Sequence, residues 1–464
     1  MKKITSILCA AACGVSSMFA QNPIVQTMFS TDPAPMVYGD RVYVFTGHDE
    51  EKADFFWMND WHLYSSADMV NWTDHGCPLA QCDMKWADDR AWAPQCIERN
   101  GKFYFYVPVH SKISRGMAIG VAVADNIEGP YKDALGKPLY EDGKWDHIDP
   151  TVMIDKDGQA YLYWGNPRLY SAKLNEDMIS FASEVKCDTT VKRYTEGPWI
   201  YRQRQATKEE LKAMKAQKIK AKDAAWGKYF MIYAAGGVPE CIAYSESNNP
   251  QGPWTYVGEV MPQDNSTKSF TNHSGIVEFK GHNYFFYHTG TLPGGGGFGR
   301  SVSVEEFEWK ADGRLPIVKN TEEGVKPIGT LNPYKKVEAE TIAFSKGLHT
   351  EWNKKKGKIW VSDIHNGDWL KVREVDLSAD GNTPKSIDVA AASALQGGTI
   401  EVHIDSLEGK MIAKVNIAPT GGWEEWETFQ SSIADGVSGK HDVYFVFKGL
   451  KGCKLFNFDN WIIK

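Results

Sequence analysis

The chain has 464 residues, 42% of them hydrophobic and 24% charged, with a formal net charge of −7. That length allows two or three domains of ordinary globular composition, and the acidic balance gives no basic footprint for a nucleic-acid partner. After the first twenty residues no apolar run is long enough to span a membrane.

Met1-Lys2-Lys3 starts a basic segment, Ile4 to Val15 is apolar or small, and Phe19-Ala20-Gln21 offers a cleavage point. Residues 1–20 therefore read as a signal peptide that sends the mature chain to the periplasm or the medium. Lipoprotein processing at Cys13 is the rival reading. It is disfavoured because Ala10 stands where such sites prefer Leu. Cys77, Cys82, Cys96, Cys187, Cys241 and Cys453 remain after cleavage, without zinc spacing. A pair such as Cys77 with Cys82 or Cys96 and a set of buried free thiols are both open.

Five stretches then repeat one pattern, a turn residue followed by an aromatic, β-rich run. They start at Asp40, Gly101, Gly158, Gly227 and Gly281. Between them lie further strand signals with Asn or Gly-Pro turns, as in 61–72, 119–131 and 242–254. Five such units predict an all-β fold whose first domain, residues 21–332, is a five-bladed β-propeller. Thr207 to Ala225 breaks the pattern. Its Lys, Glu, Ala and Gln content predicts a helical surface insertion. Beyond Leu331-Asn332-Pro333-Tyr334 the texture changes to short alternating strands at 387–392, 399–404, 411–417 and 441–447. These predict a β-sandwich (jelly-roll) domain over 333–464.

Asp32, Trp92, Asp149 and His273 each stand 11 or 12 residues before the first Tyr of their aromatic strand, and Glu196 fits once the helical insertion is subtracted. Equivalent positions of successive blades face the central channel, so these five should converge. An acid beside Pro is, taken singly, an ordinary turn former. Three carboxylates in one aromatic-lined site suit cleavage of a glycosidic bond, with an acid at the leaving oxygen and an ionised carboxylate opposite. Trp92 would form part of the floor against which a sugar stacks.

The motifs Thr-Asp-Pro-Ala-Pro, Arg-Ala-Trp-Ala-Pro, His-Ile-Asp-Pro-Thr, Thr-Glu-Gly-Pro-Trp and Asn-His-Ser-Gly, with Gly299-Arg300-Ser301-Val302, together resemble glycoside hydrolase family 43. The resemblance implies an inverting mechanism with Asp32 as general base, Glu196 as general acid and Asp149 tuning the acid. It also implies that Arg300 contacts substrate and that His273 ligates a calcium ion, through water or directly, in the channel. The related fructan-cleaving family is disfavoured, because its Asn-Asp-Pro, Arg-Asp-Pro and Glu-Cys motifs are not matched. The C-terminal part is similar to a family 6 carbohydrate-binding module in Val337-Glu338-Ala339-Glu340, Asn366-Gly367-Asp368-Trp369, Pro419 to Trp423 and Phe456 to Trp461. By that likeness Glu338, Glu340 and Asp459 hold a structural calcium, and Asn457 with Trp423 or Trp360 lines a sugar cleft. The expected activity is release of terminal α-L-arabinofuranose from plant arabinoxylan or arabinan by a monomer with no organic cofactor. β-D-xylosidase is the alternative, and a non-catalytic glycan-binding protein is a less favoured one.

Overall fold

A computed structural model describes residues 21–464, so the export signal read over the first twenty lies outside the described residues. The chain is almost wholly strand. Residues 30–307 form five antiparallel sheets in sequence order, each built round one of the aromatic runs. Residues 344–463 contribute two further sheets.

The aromatic runs explain how the first five sheets are arranged. Strand side chains alternate between faces. In Lys102–Ser111, Phe103 and Phe105 enter one apolar core while Tyr104 and Tyr106 enter another. Leu162 and Trp164 share that second core, whereas Tyr161 and Tyr163 face a third. Tyr229, Met231 and Tyr233 complete the third, and Phe230 and Ile232 turn back to the first. Phe285 and Tyr287 also join the first core, while Tyr284 and Phe286 pack with Val42 and Val44 of the first sheet. Each of these sheets is therefore buried on both faces, and the fifth shares a core with the first. That accounts for runs of β-rich aromatic residues without polar alternation.

The fifth sheet has three strands, Gly275–Phe279, His282–Thr289 and Ser301–Phe307. The chain's beginning runs beside its last strand. Ile24 N–H donates to the Val302 carbonyl at 2.8 Å, and Asn22 Nδ2 donates to the Val304 carbonyl at 3.1 Å and to Glu305 Oε1 at 3.0 Å.

The insertion is helical only over Lys208–Ala216, with Thr207 as its N-cap and Glu210 completing the capping box. Residues 217–225 turn back, with one short 3₁₀ turn at Ala221–Asp223, so the helix is half as long as composition alone suggests.

Of the two C-terminal sheets, one runs in the order 349–353, 358–362, 457–463, 386–392, 427–432, and the other 344–346, 369–376, 440–448, 398–404, 411–417. Val361, Val389 and Trp461 of the first meet Val372, Val402 and Phe445 of the second in one core. This part is tied to the first sheet. Thr341–Ile342 pairs with Trp72–Thr73, and Thr350 Oγ1 donates to Asp74 Oδ2 at 2.7 Å. Gly76, at φ +71°, lies under the Trp352 ring, where a Cβ would meet it at 3.0 Å. All six described cysteines are free. Cys77 Sγ donates to the Leu79 carbonyl at 3.2 Å and Cys96 Sγ lies 3.4 Å from Tyr131 Oη; these two and Cys241 are buried thiols, whereas Cys82 and Cys187 are exposed.

Candidate active site

The five residues singled out by their common offset sit in or just before the strand that precedes the aromatic run of their sheets. Asp32 lies in Ser30–Tyr38 and Glu196 in Tyr194–Arg202. Trp92, Asp149 and His273 directly precede Gln95–Arg99, Thr151–Ile154 and Gly275–Phe279. All five line one cavity of about 400 Å³, together with Arg300.

Local backbone irregularities aim the acids. Pairing slips between Thr31 and Ala34 and on both sides of Glu196. Asp32, Asp149 and Gly197 take φ of +51°, +57° and +57°. Bulges of this kind redirect a side chain out of the ladder, and αL backbone in non-glycine residues concentrates at functional sites. Glycine is favoured at 197 for a second reason: a Cβ there would stand 3.0 Å from His273 Nδ1, a tight contact that His273 would have to relieve.

Asp32 is buried. Burial raises its carboxyl, but the Arg300 guanidinium and His288 outweigh that and hold it well below the usual carboxylate range. Arg300 Nη1 donates to Asp32 Oδ1 at 3.2 Å, and His288 Nδ1 lies 3.2 Å from the same oxygen. Arg300 is itself fixed by Asp49, through Nε at 2.9 Å, Nη2 at 2.8 Å and its backbone N–H at 2.9 Å. Its guanidinium stacks over Phe56 at 4.9 Å. Arg300 thus lines the cavity with most of its donors already committed to Asp49, Asp32 and Thr271.

Glu196 and Asp149 move the other way. Burial, with the charge of Asp32, raises Glu196 even though Asn166 Nδ2 donates to its Oε2. Burial, then Glu196 and then Asp32, pushes Asp149 well above the carboxylate range. The two are coupled and retain a proton where free carboxylates would have lost it.

Aromatic side chains form the walls. Trp92 Nε1 donates to the Phe56 carbonyl at 3.0 Å, which fixes the ring at the cavity edge. Phe55 and Trp145 are exposed at the mouth. His273 is buried, and burial lowers its imidazole to about 4, so it is neutral near pH 7.

Several residues of the site escaped the sequence reading. Asp49, His288, Thr271 and Asn166 lie outside the repeated offset. Asp49 follows the end of its strand by one residue, with no motif to mark it. Glu240 is buried behind the cavity, where its Oε2 accepts the Asn272 N–H at 2.7 Å. Burial and then Glu196 push its carboxyl up to about 9.

In the C-terminal part, Asn457 is fully buried. Its Nδ2 donates to the Trp423 carbonyl at 2.8 Å, and its Oδ1 has no partner. The Trp423 ring carries the Lys454 ammonium at 4.8 Å. Trp360 packs edge-on to Trp426, their centroids 5.6 Å apart. Glu338, Glu340 and Asp459 border one cleft of about 630 Å³. Glu340 Oε2 is buried without a partner, and burial followed by repulsion from Glu338, Asp74 and Asp459 raises its carboxyl. Lys336 and Lys358 pair with Glu338 and Asp459 at 2.5 and 3.0 Å. Among the described residues, ligand-bearing groups of three gathered within 4.8 Å are His48–Asp60–His62 and Asp88–Asp89–His110. Neither contains His273, Glu338, Glu340 or Asp459.

The family model for glycosyl hydrolases family 43 matches residues 20–315, and that for carbohydrate binding module family 6 matches residues 338–464. An arabinoxylan arabinofuranohydrolase of Bacillus subtilis is 32% identical over 95% of this chain and 91% of its own length. A solved Bacillus subtilis family 43 arabinoxylan arabinofuranohydrolase, in complex with cellotetraose, superposes with a TM-score of 0.81 at 29% identity, covering 96% of this chain and 97% of that one. A xylosidase/arabinosidase of Bacteroides ovatus is 29% identical over 64% of this chain and 96% of its own.

Proposed function

Because the chain belongs to glycosyl hydrolase family 43, we propose that it is an inverting glycosidase that removes terminal α-L-arabinofuranose from arabinoxylan-type polysaccharide. The observation that carries this reading is the opposed proton affinity of carboxylates in one cavity: Asp32 held low, Glu196 and Asp149 held high.

Inversion requires a base and an acid on opposite sides of the sugar. Asp32 is ionised near neutral pH and takes a proton from water as the water oxygen bonds to the anomeric carbon. The bond from that carbon to the leaving oxygen breaks, and Glu196 gives that oxygen its proton. Asp149, accepting the Gly197 N–H at 2.9 Å, holds the strand at Glu196, while burial and the Asp32 charge keep that acid supplied with its proton. Arg300 acts mainly by positioning Asp32. Trp92, Phe56 and Trp145 give the sugar flat apolar faces.

Arabinose is favoured over xylose as the released sugar. The arabinofuranohydrolase relative aligns through both regions of the chain at 32% identity, whereas the xylosidase/arabinosidase relatives align with 64% of it at 29% or with 92% of it at 24%. We read the five cyclically packed sheets as the blades of a five-bladed propeller over 21–332 and the two C-terminal sheets as a β-sandwich over 333–464. The shared cores between consecutive sheets, and between fifth and first, support the propeller.

The C-terminal module implies carbohydrate binding. The orphaned Glu340 carboxylate, with Glu338 and Asp459 beside it, has the hard oxygen donors that calcium prefers. His273 offers a single nitrogen, so an ion in the channel would be held largely by water, and no step above uses one. Export, as a monomer, remains our reading of the leader and the composition.

The test is incubation with aryl α-L-arabinofuranoside beside aryl β-D-xyloside, and with arabinoxylan. Arabinose release and turnover of the furanoside support the proposal. Turnover of the xyloside alone sinks the specificity, and turnover of neither sinks the activity.

A further inference from the structure

We propose that His48, Asp60 and His62 bind a zinc-class divalent ion that clasps the base of the loop forming one wall of the catalytic cavity. One ligand atom from each lies within 4.8 Å of the others. Their convergence follows from strand geometry. Gly47 pairs with Trp61 and Thr46 with His62, so His48 at the end of its strand faces Asp60 across the ladder. Side chains two apart share a face. Asp60 and His62 therefore project together, while Trp61 between them enters the core.

The distances suit a shared ion. His48 Nδ1 is 2.9 Å and His62 Nε2 3.5 Å from Asp60 Oδ1. Ligands at the usual zinc bond lengths of about 2.0–2.1 Å on a tetrahedron stand roughly 3.3 Å apart, between those two values. A gap of 3.5 Å is poor as a hydrogen bond. His62 is buried, and its Nδ1 has no hydrogen-bond partner, so protein hydrogen bonds alone leave this imidazole weakly satisfied. Two imidazoles and one carboxylate select zinc, nickel or cobalt over calcium, and a water would complete the fourth position.

The other three-residue cluster is less fitted to an ion. Arg90 and Arg115 already supply cations to Asp89 and Asp88, whereas Asp60 is paired with the two histidines. His48 and Asp60 bracket the loop 49–59, which carries Phe55, Phe56 and Met58 of the cavity wall. An ion here would join the loop's two ends and stiffen that wall without touching the reacting bond.

The test uses the full-length protein stripped with chelator and titrated with zinc chloride by calorimetry. One ion per chain is expected, with a melting-temperature rise of about 4 °C at a hundredfold excess over Kd and slower amide exchange across residues 50–59. His48→Gln and His62→Gln each weaken uptake roughly tenfold or more. His110→Gln and Cys82→Ser/Cys187→Ser leave it unchanged. Absence of uptake, uptake unaltered in both histidine variants, or loss in His110→Gln overturns the assignment. His48 is partly exposed, so its variant carries the test if His62→Gln fails to fold.

Discussion

The backbone N–H of Gly197 donates to Asp149 Oδ2 at 2.9 Å, tying the residue after Glu196 to the carboxyl whose proton affinity burial and Glu196 raise. Glu196 is among the causes that raise Asp149, so in Asp149→Asn the proton that the pair holds to high pH is gone and Glu196 titrates alone, under burial and the Asp32 charge. The alkaline limb of the kcat profile should move toward acid and kcat should fall about 10–100-fold, within the span of general-acid effects. An unmoved limb would separate Asp149 from the acid.

Gly197→Ala forces an αL alanine at φ +57° and sets a Cβ 3.0 Å from His273 Nδ1. A loss of about 1–3 kcal/mol is expected in denaturant unfolding. Activity should fall as well, because the strain is relieved by moving either His273 or the strand at Glu196. Full stability and activity would show that the backbone there is free to adjust.

Glu240 gives a pH signature. Its folded-state carboxyl, raised to about 9 by burial and Glu196, lies above its unfolded value of 4.5. The folded form thus holds a proton that the unfolded form has lost. This contribution is complete below about pH 4.5 and fades as pH rises through 9, by up to about 1.4 kcal/mol per pH unit. Glu240→Gln, close in shape and already neutral, should match the parent in mild acid and overtake it toward pH 9 in thermal melts. Parallel curves would mean that Glu240 ionises normally.

Chelation tests the C-terminal carboxylates. If calcium satisfies the orphaned Glu340 Oε2, removing it lowers the melting temperature by a few degrees, and Glu340→Gln abolishes the response to added calcium. A response unchanged in that variant would place the ion elsewhere.

The aromatic strands and the offset of Asp32, Trp92, Asp149, Glu196 and His273 were readable in the sequence because a repeated unit imposes its register on every copy. The strands at 399–404 and 411–417 were readable for a simpler reason, period-two alternation between polar and apolar residues, and those at 387–392 and 441–447 as short apolar runs set off by turns. What could not be read is what depends on the fifth sheet packing against the first. Asp49 reaches Arg300 across 251 positions, and His288 reaches Asp32 across 256. Neither has a local pattern to mark it. The helical insertion was overextended because composition cannot see where residues 217–225 pack back.

The most direct test of the account is a comparison of Glu196→Gln and Asp32→Asn on aryl α-L-arabinofuranosides with poor and good leaving groups. Both variants should lose about 10²–10⁴ in kcat on a poor leaving group. On a good one, which departs without a proton, Glu196→Gln should recover most of its rate while Asp32→Asn remains slow. Equal rates in parent and variants, or recovery by Asp32→Asn instead, would contradict the assignment of base and acid.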